Sequence, residues 1–341
     1  MFILRNLVKI HGSSGVVNVV PNDVTITRSF DNQTQTAKVI LPRNLKYNNK
    51  NIYEGENALI KRGNKIELYA GYLPNMPLLF SGYISKINNN VPLEILCEDE
   101  MFLLKQKQAP NLSYRTVNLR TFIEKMLGDS KIPFEALNAE LGQIRTQNSS
   151  IGKVLQVLRD EPYGLYSYFI NGTLYVGLPF QTNLAKEQVF LFERQMITDG
   201  MDLIYLKKED VKVIIKGVIV SKDNKKTEYV YFYEGDKLVS YESNSAKYDS
   251  ADGALRTLFQ YGGTKEQLDV SAKSFMEQVN YTGYYGSFNT FLEPTVVPGD
   301  HAIIDSYKYP ERKGTYLIKS VETSFGTNGG RQKIELERKI A

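Results

Sequence analysis

Apolar and polar positions alternate over most of this chain, with one stretch of helical period between two alternating regions. Residues 1–106 read as strand throughout. "VTITRSF" and "TAKVILP" are short alternating runs joined by polar "DNQTQ". "NKIELYAGY", "LLFSGYISKI" and "PLEILCEDE" follow, separated by turns that contain Pro and Asn. Many short strands at close spacing predict a sandwich or barrel, so 1–106 is expected to be a first β-barrel domain. The Asn-rich segment 44–57 carries loop chemistry and no assignable role.

Residues 107–198 change to a helical period. Leu119, Phe122, Ile123, Met126 and Leu127 stand at i, i+3, i+4, i+7 and i+8, with Asn118 placed as N-cap and Gly128 as C-cap. Such a stripe buries one face of a helix. A second helix is expected from Ser149-Ser150 through Ile151, Val154, Leu155 and Leu158, ending before Pro162. "LYSYFINGTLYVGL" then reads as a hairpin on Asn171-Gly172, a dipeptide suited to a two-residue turn. This stretch is expected to be a small α+β domain inserted in a β protein.

From 199 to 341 the alternation returns, in a second β-barrel domain. Val211, Val213 and Ile215 alternate, "KDNKK" supplies a turn, and "TEYVYFYEG" follows. Leu255, Leu258 and Phe259 predict a short helix near 252–261 that stops at Gly262-Gly263. The chain ends on a hairpin turned by Asn328-Gly329-Gly330, with Ile334, Leu336 and Ile340 alternating against Lys333, Glu335, Glu337 and Lys339.

The two β regions repeat. The first contains Gly63-Asn64-Lys65-Ile66-Glu67-Leu68, then Tyr83-Ile84-Ser85-Lys86, then Leu93-Glu94-Ile95. The second contains Gly299-Asp300-His301-Ala302-Ile303-Ile304, then Tyr316-Leu317-Ile318-Lys319, then Ile334-Glu335-Leu336. Order, direction and alternation agree, which predicts an internal duplication. The terminal strand would then close the second copy, since an open edge invites aggregation.

Composition narrows the functional classes. The 341 residues are 42% hydrophobic and 23% charged, ordinary globular values, and the length predicts two or three domains. A net charge of +4 lacks the concentrated basic face of a nucleic-acid binder. The single cysteine, Cys97, excludes an intramolecular disulfide framework. The start lacks the apolar h-region of a signal peptide, and no run reaches the length of a membrane span. Synthesis and assembly in the cytoplasm are expected.

Candidate chemistry is sparse. The two histidines, His11 and His301, stand at opposite ends of the chain. Cys97 is in phase with Leu93 and Ile95 and reads as a buried small hydrophobe. With no second cysteine or paired histidine, no zinc site is expected. Glu98-Asp99-Glu100 could suggest a metal or acid–base cluster, but strand neighbours point to opposite faces. No nucleophile elbow, phosphate-binding loop or dinucleotide loop occurs. The expectation is a non-enzyme without catalytic residues, metal or cofactor. The 23 Tyr and 16 Phe, with no Trp, suit pleated surfaces; the alternative is an aromatic platform for sugars or bases.

With these features laid out, the chain resembles the baseplate hub proteins of contractile phage tails. That family includes the late control D proteins of P2-like phages, the Mu-type tail hub and the hub part of type VI secretion spike proteins. The likeness lies in domain order over nearly the whole chain. "IRTQNSSIGKVLQVLRDEPYGLYSYFINGTLYVG" is similar to the family's inserted domain. "GSFNTFLEPTVVPGDHAIID" and "GTYLIKSVETSFGTNGGRQKIELERKI" resemble its closing barrel. The resemblance implies two tube-like barrels per chain and a homotrimer whose six barrels form a pseudo-sixfold ring. Such a ring would join a threefold spike protein to a sixfold tail tube protein around an open channel. DNA or effector would pass through it without specific binding. It also implies a place in the virion tail baseplate, with no membrane insertion and the spike on a separate polypeptide.

Two edge regions, 66–72 and 331–339, are the candidates for subunit interface or channel lining. The residues singled out are Lys65, Glu67, Tyr69, Arg331, Lys333, Glu335, Glu337 and Lys339. Charges alternating along a strand are otherwise simply its wet face. Two other readings stand beside the hub: a β-rich glycan-binding or adhesin-type module using the Tyr-rich segments, and a cell-wall hydrolase of the baseplate.

Overall fold

The computed structural model of the chain describes residues 3–12, 15–42, 46–47, 50–51, 60–88, 91–160, 163–178, 185–197, 201–220, 226–235, 237–243, 253–261 and 264–340. Most of segment 44–57 lies outside them. Among the described residues the fold is mainly β with four α-helices.

Seven strands build the first barrel: β1 (Leu4–Gly12), β2 (Gly15–Val19), β3 (Asp23–Ser29), β4 (Thr36–Leu41), β5 (Lys65–Tyr72), β6 (Leu78–Asn88) and β7 (Leu93–Glu98). They pair in the order β3-β4-β7-β6-β5-β1-β2, antiparallel throughout. The alternation read from the sequence decides which face turns inward. Val8, Ile10, Ile26, Val39, Ile66, Leu68, Ile84 and Ile95 meet in one core, each buried to within 1%. Cys97 lies among them, and burial pushes its thiol well above its ordinary pKa.

The inserted domain begins earlier than residue 107. Helix α1 (Met101–Gln106) contributes Met101 and Leu104 to a core shared with α2 (Leu119–Leu127) and α3 (Ile151–Arg159). Asn118 caps α2 by accepting from Arg120 N–H at 3.0 Å, and Gly128 ends it at φ +55°. Ser150 caps α3. Strand β8 (Phe134–Ala136) runs parallel to β10 (Thr173–Gly177), which pairs antiparallel with β9 (Tyr166–Ile170). Asn171 and Gly172 form the turn, both at positive φ, which few residue types tolerate.

The second barrel's sheet also starts before 199. Strands β11 (Glu187–Leu191) and β12 (Met196–Ile197) pair with strands near the C-terminus. After them stands a separate unit: β13 (Val213–Val220), β14 (Lys226–Glu234), β15 (Lys237–Glu242) and β16 (Ala254–Tyr261), in the order β15-β14-β13-β16. Helix α4 (Lys265–Val279) covers it, burying Leu268, Ala272 and Met276 against Ile215 and Tyr231.

Here the structure corrects the expected helix near 252–261. Residues Ala254–Tyr261 are a strand, parallel to β13 over its full length, and the helix follows them. Leu255, Leu258 and Phe259 fit a helical spacing, but three apolar residues also fit a strand. The neighbouring β13 edge decided the outcome. Gly262-Gly263 lie outside the described residues; in sequence they precede Thr264, whose capping box with Gln267 opens α4.

Four further strands complete the second barrel: β17 (Ser287–Thr290), β18 (His301–Asp305), β19 (Gly314–Gly326) and β20 (Gly329–Lys339). Their order is β12-β17-β20-β19-β18-β11. Phe190, Phe288, Ile304, Tyr316, Ile318 and Ile334 form its core.

Candidate assembly surfaces

The two barrels share one frame. Six strands of the first follow the order β3-β4-β7-β6-β5-β1, and six of the second the order β12-β17-β20-β19-β18-β11. The correspondence extends to single hydrogen bonds. Gly63 N–H donates to the Ile84 carbonyl at 2.8 Å and Ile84 N–H to the Asn64 carbonyl at 2.9 Å. Gly299 and Ile318, then Ile318 and Asp300, make the same two bonds at 2.9 Å. Both glycines have positive φ, +87° and +93°. Both following side chains fold back on the chain three residues earlier: Lys61 N–H donates to Asn64 Oδ1, and Val297 N–H to Asp300 Oδ2. One copied turn thus launches β5 and β18.

These bonds set the register of the repeat. Ile84 corresponds to Ile318, one residue away from the alignment of Tyr83 with Tyr316. Through the β6–β7 and β19–β20 pairings, Ile95 corresponds to Ile334, two residues away from Leu336. A slip of two leaves an alternating pattern unchanged. The slip of one hides at an irregularity present in both copies, where Ser85 and Lys319 are skipped by the ladder. Strand β11 departs from the copy: it runs parallel to β18, whereas β1 runs antiparallel to β5.

The barrels are joined by the chain's last hairpin. The proximal half of β19 pairs with β18, and its distal half, Ser320–Gly326, pairs antiparallel with β3. The sheet is therefore continuous from one barrel to the other. Phe325 and Leu292 cross the seam and are buried in the first barrel's core. An ion chain lies along it: Lys319 Nζ is 3.1 Å from both Asp31 and Glu335, and Ser320 Oγ donates to Glu335 at 2.7 Å. Partial burial alone would lower the Lys319 ammonium's pKa. The bonds to Glu335 and Asp31 outweigh it and hold the group above its ordinary value.

The residues anticipated from sequence fall into two clusters. Lys65, Glu67 and Tyr69 share the outward face of β5, beside Lys9 and His11 of β1. Tyr69 Oη donates to Glu67 at 2.9 Å, His11 Nε2 is 3.5 Å from the same carboxylate, and Lys9 Nζ lies 4.7 Å from the Tyr69 ring centre. Partial burial pushes the Glu67 carboxyl up; Tyr69, His11 and Lys65 together more than offset that and hold it below the usual range.

Arg331, Lys333, Glu335, Glu337 and Lys339 share the opposite, non-core face of β20. They do not reach the β5 cluster. Arg331 stacks on Phe291, and Lys333 lies 3.6 Å from Asp202. Glu335 belongs to the seam, so it joins the two barrels within one chain. Burial raises the Glu337 carboxyl, with Arg256 of β16 opposing. Asp31 and Lys319 escaped sequence reasoning. Asp31 sits in a polar linker, and Lys319 is one of two charges on its strand, with Glu322, so nothing local singles it out.

The inward tyrosines of the Tyr-rich segments are packing. Tyr231, Tyr281, Tyr284 and Tyr316 are each at most 8% exposed. Among the described residues, no three His, Cys, Asp or Glu side chains group as metal ligands would. Their helices include none long and apolar enough to cross a membrane.

No family model and no curated protein matches the chain in sequence. Solved structures do match in shape. A tail protein from Neisseria meningitidis is similar with a TM-score of 0.59 and 12% identity, over 98% of this chain and 96% of that one. The 43 kDa tail protein of prophage MuSo2 from Shewanella oneidensis gives 0.55 and 11%, over 97% and 98%. An Escherichia coli component of the type VI secretion system, itself similar to T4 bacteriophage tail proteins, gives 0.50 and 9%, over 97% and 76%. The chain has the fold of these tail and injection-machine proteins.

Proposed function

We propose that this chain is a structural, non-enzymatic hub in the baseplate of a contractile phage tail or related injection machine. Three copies form a ring of six barrels around an open channel, with the spike protein on one face and the tail tube protein on the other. DNA or effector passes through without specific recognition, and assembly takes place in the bacterial cytoplasm. The observation that carries this reading is the repeated frame. Two barrels with one strand order and one copied turn let three chains present near-sixfold symmetry. The outward residues Lys65, Glu67, Tyr69, Arg331, Lys333, Glu337 and Lys339 supply the subunit interfaces and channel wall.

Mass in solution by light scattering, with negative-stain images of the same peak, tests the proposal. A trimer with a central hole is expected, alone or on addition of the cognate spike. The K65E/K333E double variant should shift it toward monomer. A wild-type chain that stays monomeric with both spike and tube proteins present would overturn the proposal.

A further inference from the structure

Arg28 is a buried charge with no counter-ion among the described residues. It stands on the inward face of β3, after Val24 and Ile26, and is only 8% exposed. Its guanidinium makes no hydrogen bond or ion pair with any described residue. Burial lowers its pKa to about 10. A buried ion of this kind costs several kcal/mol unless it is paired.

The side chain opens onto a cleft of about 730 Å³ between the first barrel, the Asn171-Gly172 turn of the inserted domain and the turn that launches β18. Two of the three carboxylates in the cleft lining are committed elsewhere, and the third, Glu100, feels the charge of Lys65. Asp99 accepts from the N–H groups of Gln35 and Met101, and Asp300 from those of Lys186 and Val297. Much of the wall is apolar, including Phe30, Leu78, Phe80, Phe169, Ile170 and Val297. Leu78 is 49% exposed.

We propose that this cleft receives an apolar segment of a partner polypeptide bearing one carboxylate, for which Arg28 is the counter-ion. A guanidinium fork fits a carboxylate with two parallel hydrogen bonds. The volume lies within the range of sites that bury a compact ligand. A nucleic-acid backbone fits less well: Lys65 and Lys186 are balanced in the lining by Asp99, Glu100 and Asp300, so no polyanion field is present. The assignment is independent of ring formation.

The test uses the full chain, ¹⁵N-labelled at arginine, with acetyl-Leu-Leu-Asp-amide, its Asn counterpart and inorganic sulfate as probes. The Arg28 Nε–H resonance is assigned by its loss in R28M. The Asp peptide should shift that resonance and raise Tm by roughly 2 °C near saturation, and the Asn peptide should do neither. R28M should melt above wild type in the absence of probe and ignore the Asp peptide. R28Q serves if R28M fails to fold. No response to the Asp peptide, equal responses to both peptides, or a sulfate effect as large as the Asp peptide's would each overturn the proposal.

Discussion

The two barrels are copies that differ in what their third hairpin does. In the first, β6 stops at Asn88 and β7 starts at Leu93, and the outward cluster on β5 stays within its own barrel. In the second, the equivalent β19 and β20 run on to a turn near Gly326–Gly329. The extension grips β3 of the other barrel and sends Phe325 into its core. The shared frame makes two similar units, and the longer hairpin makes them one body.

The largest effect should come from breaking that seam. Phe325→Ala removes a buried ring that β19 of the second barrel places in the first barrel's core and should cost about 4 kcal/mol, measured by urea unfolding. A second unfolding transition is expected as the barrels uncouple. The cost of a surface residue, below 1 kcal/mol, would show that the seam is incidental.

Next comes the equivalence of the two frames. Ile84→Ala and Ile318→Ala remove matched core side chains, each at 0% exposure, and each should cost about 3 kcal/mol. A difference larger than about 2 kcal/mol between them would break the equivalence drawn from the hydrogen bonds. The copied turn separates the copies more finely. Asn64 holds one backbone N–H, whereas Asp300 holds two, one of them from Lys186 beside β11. Asn64→Ala should therefore cost about 1 kcal/mol and Asp300→Ala about 2 to 3 kcal/mol.

The smallest effects contrast two outward carboxylates by pH. Glu67 has a folded pKa below its unfolded value of 4.5. Its contribution is present above that value and is lost as pH falls through the folded pKa. Glu67→Gln should lower Tm at pH 7 and converge with wild type in acid. Glu337 has a raised folded pKa, so its protonated form is favoured by folding and stability falls as pH rises. Glu337→Gln should raise Tm at pH 7 and leave it unchanged near pH 3. Tm measured against pH for both variants checks the opposite signs; changes of the same sign would remove the contrast.

Much of the frame was legible. Asn118, Gly128 and Ser150 marked helix ends where their side chains or φ angles act, and Asn171-Gly172 turned its hairpin. The repeat was legible as a pattern but not in register, because alternation has period two. The strand Ala254–Tyr261 was misread because its partner β13 is forty residues away. The candidate surfaces were half legible. Outward charges on β5 and β20 were found, but Glu335 proved to be tied to Asp31 through Lys319, a contact between residues nearly three hundred positions apart.

At the alternating strands, the capped helices and the Asn171-Gly172 turn, the sequence by itself determined where the chain extends, coils and turns, because alternation, caps and positive-φ residues act within a few positions. Over Ala254–Tyr261 it did not. Only the tertiary structure decided which strand edges meet. Every residue but proline carries the same backbone donor and acceptor, so β3 has no local mark that it will pair with Ser320–Gly326. It also left Arg28 without a counter-ion among the described residues, in a three-sided cleft, which no local sequence pattern marks.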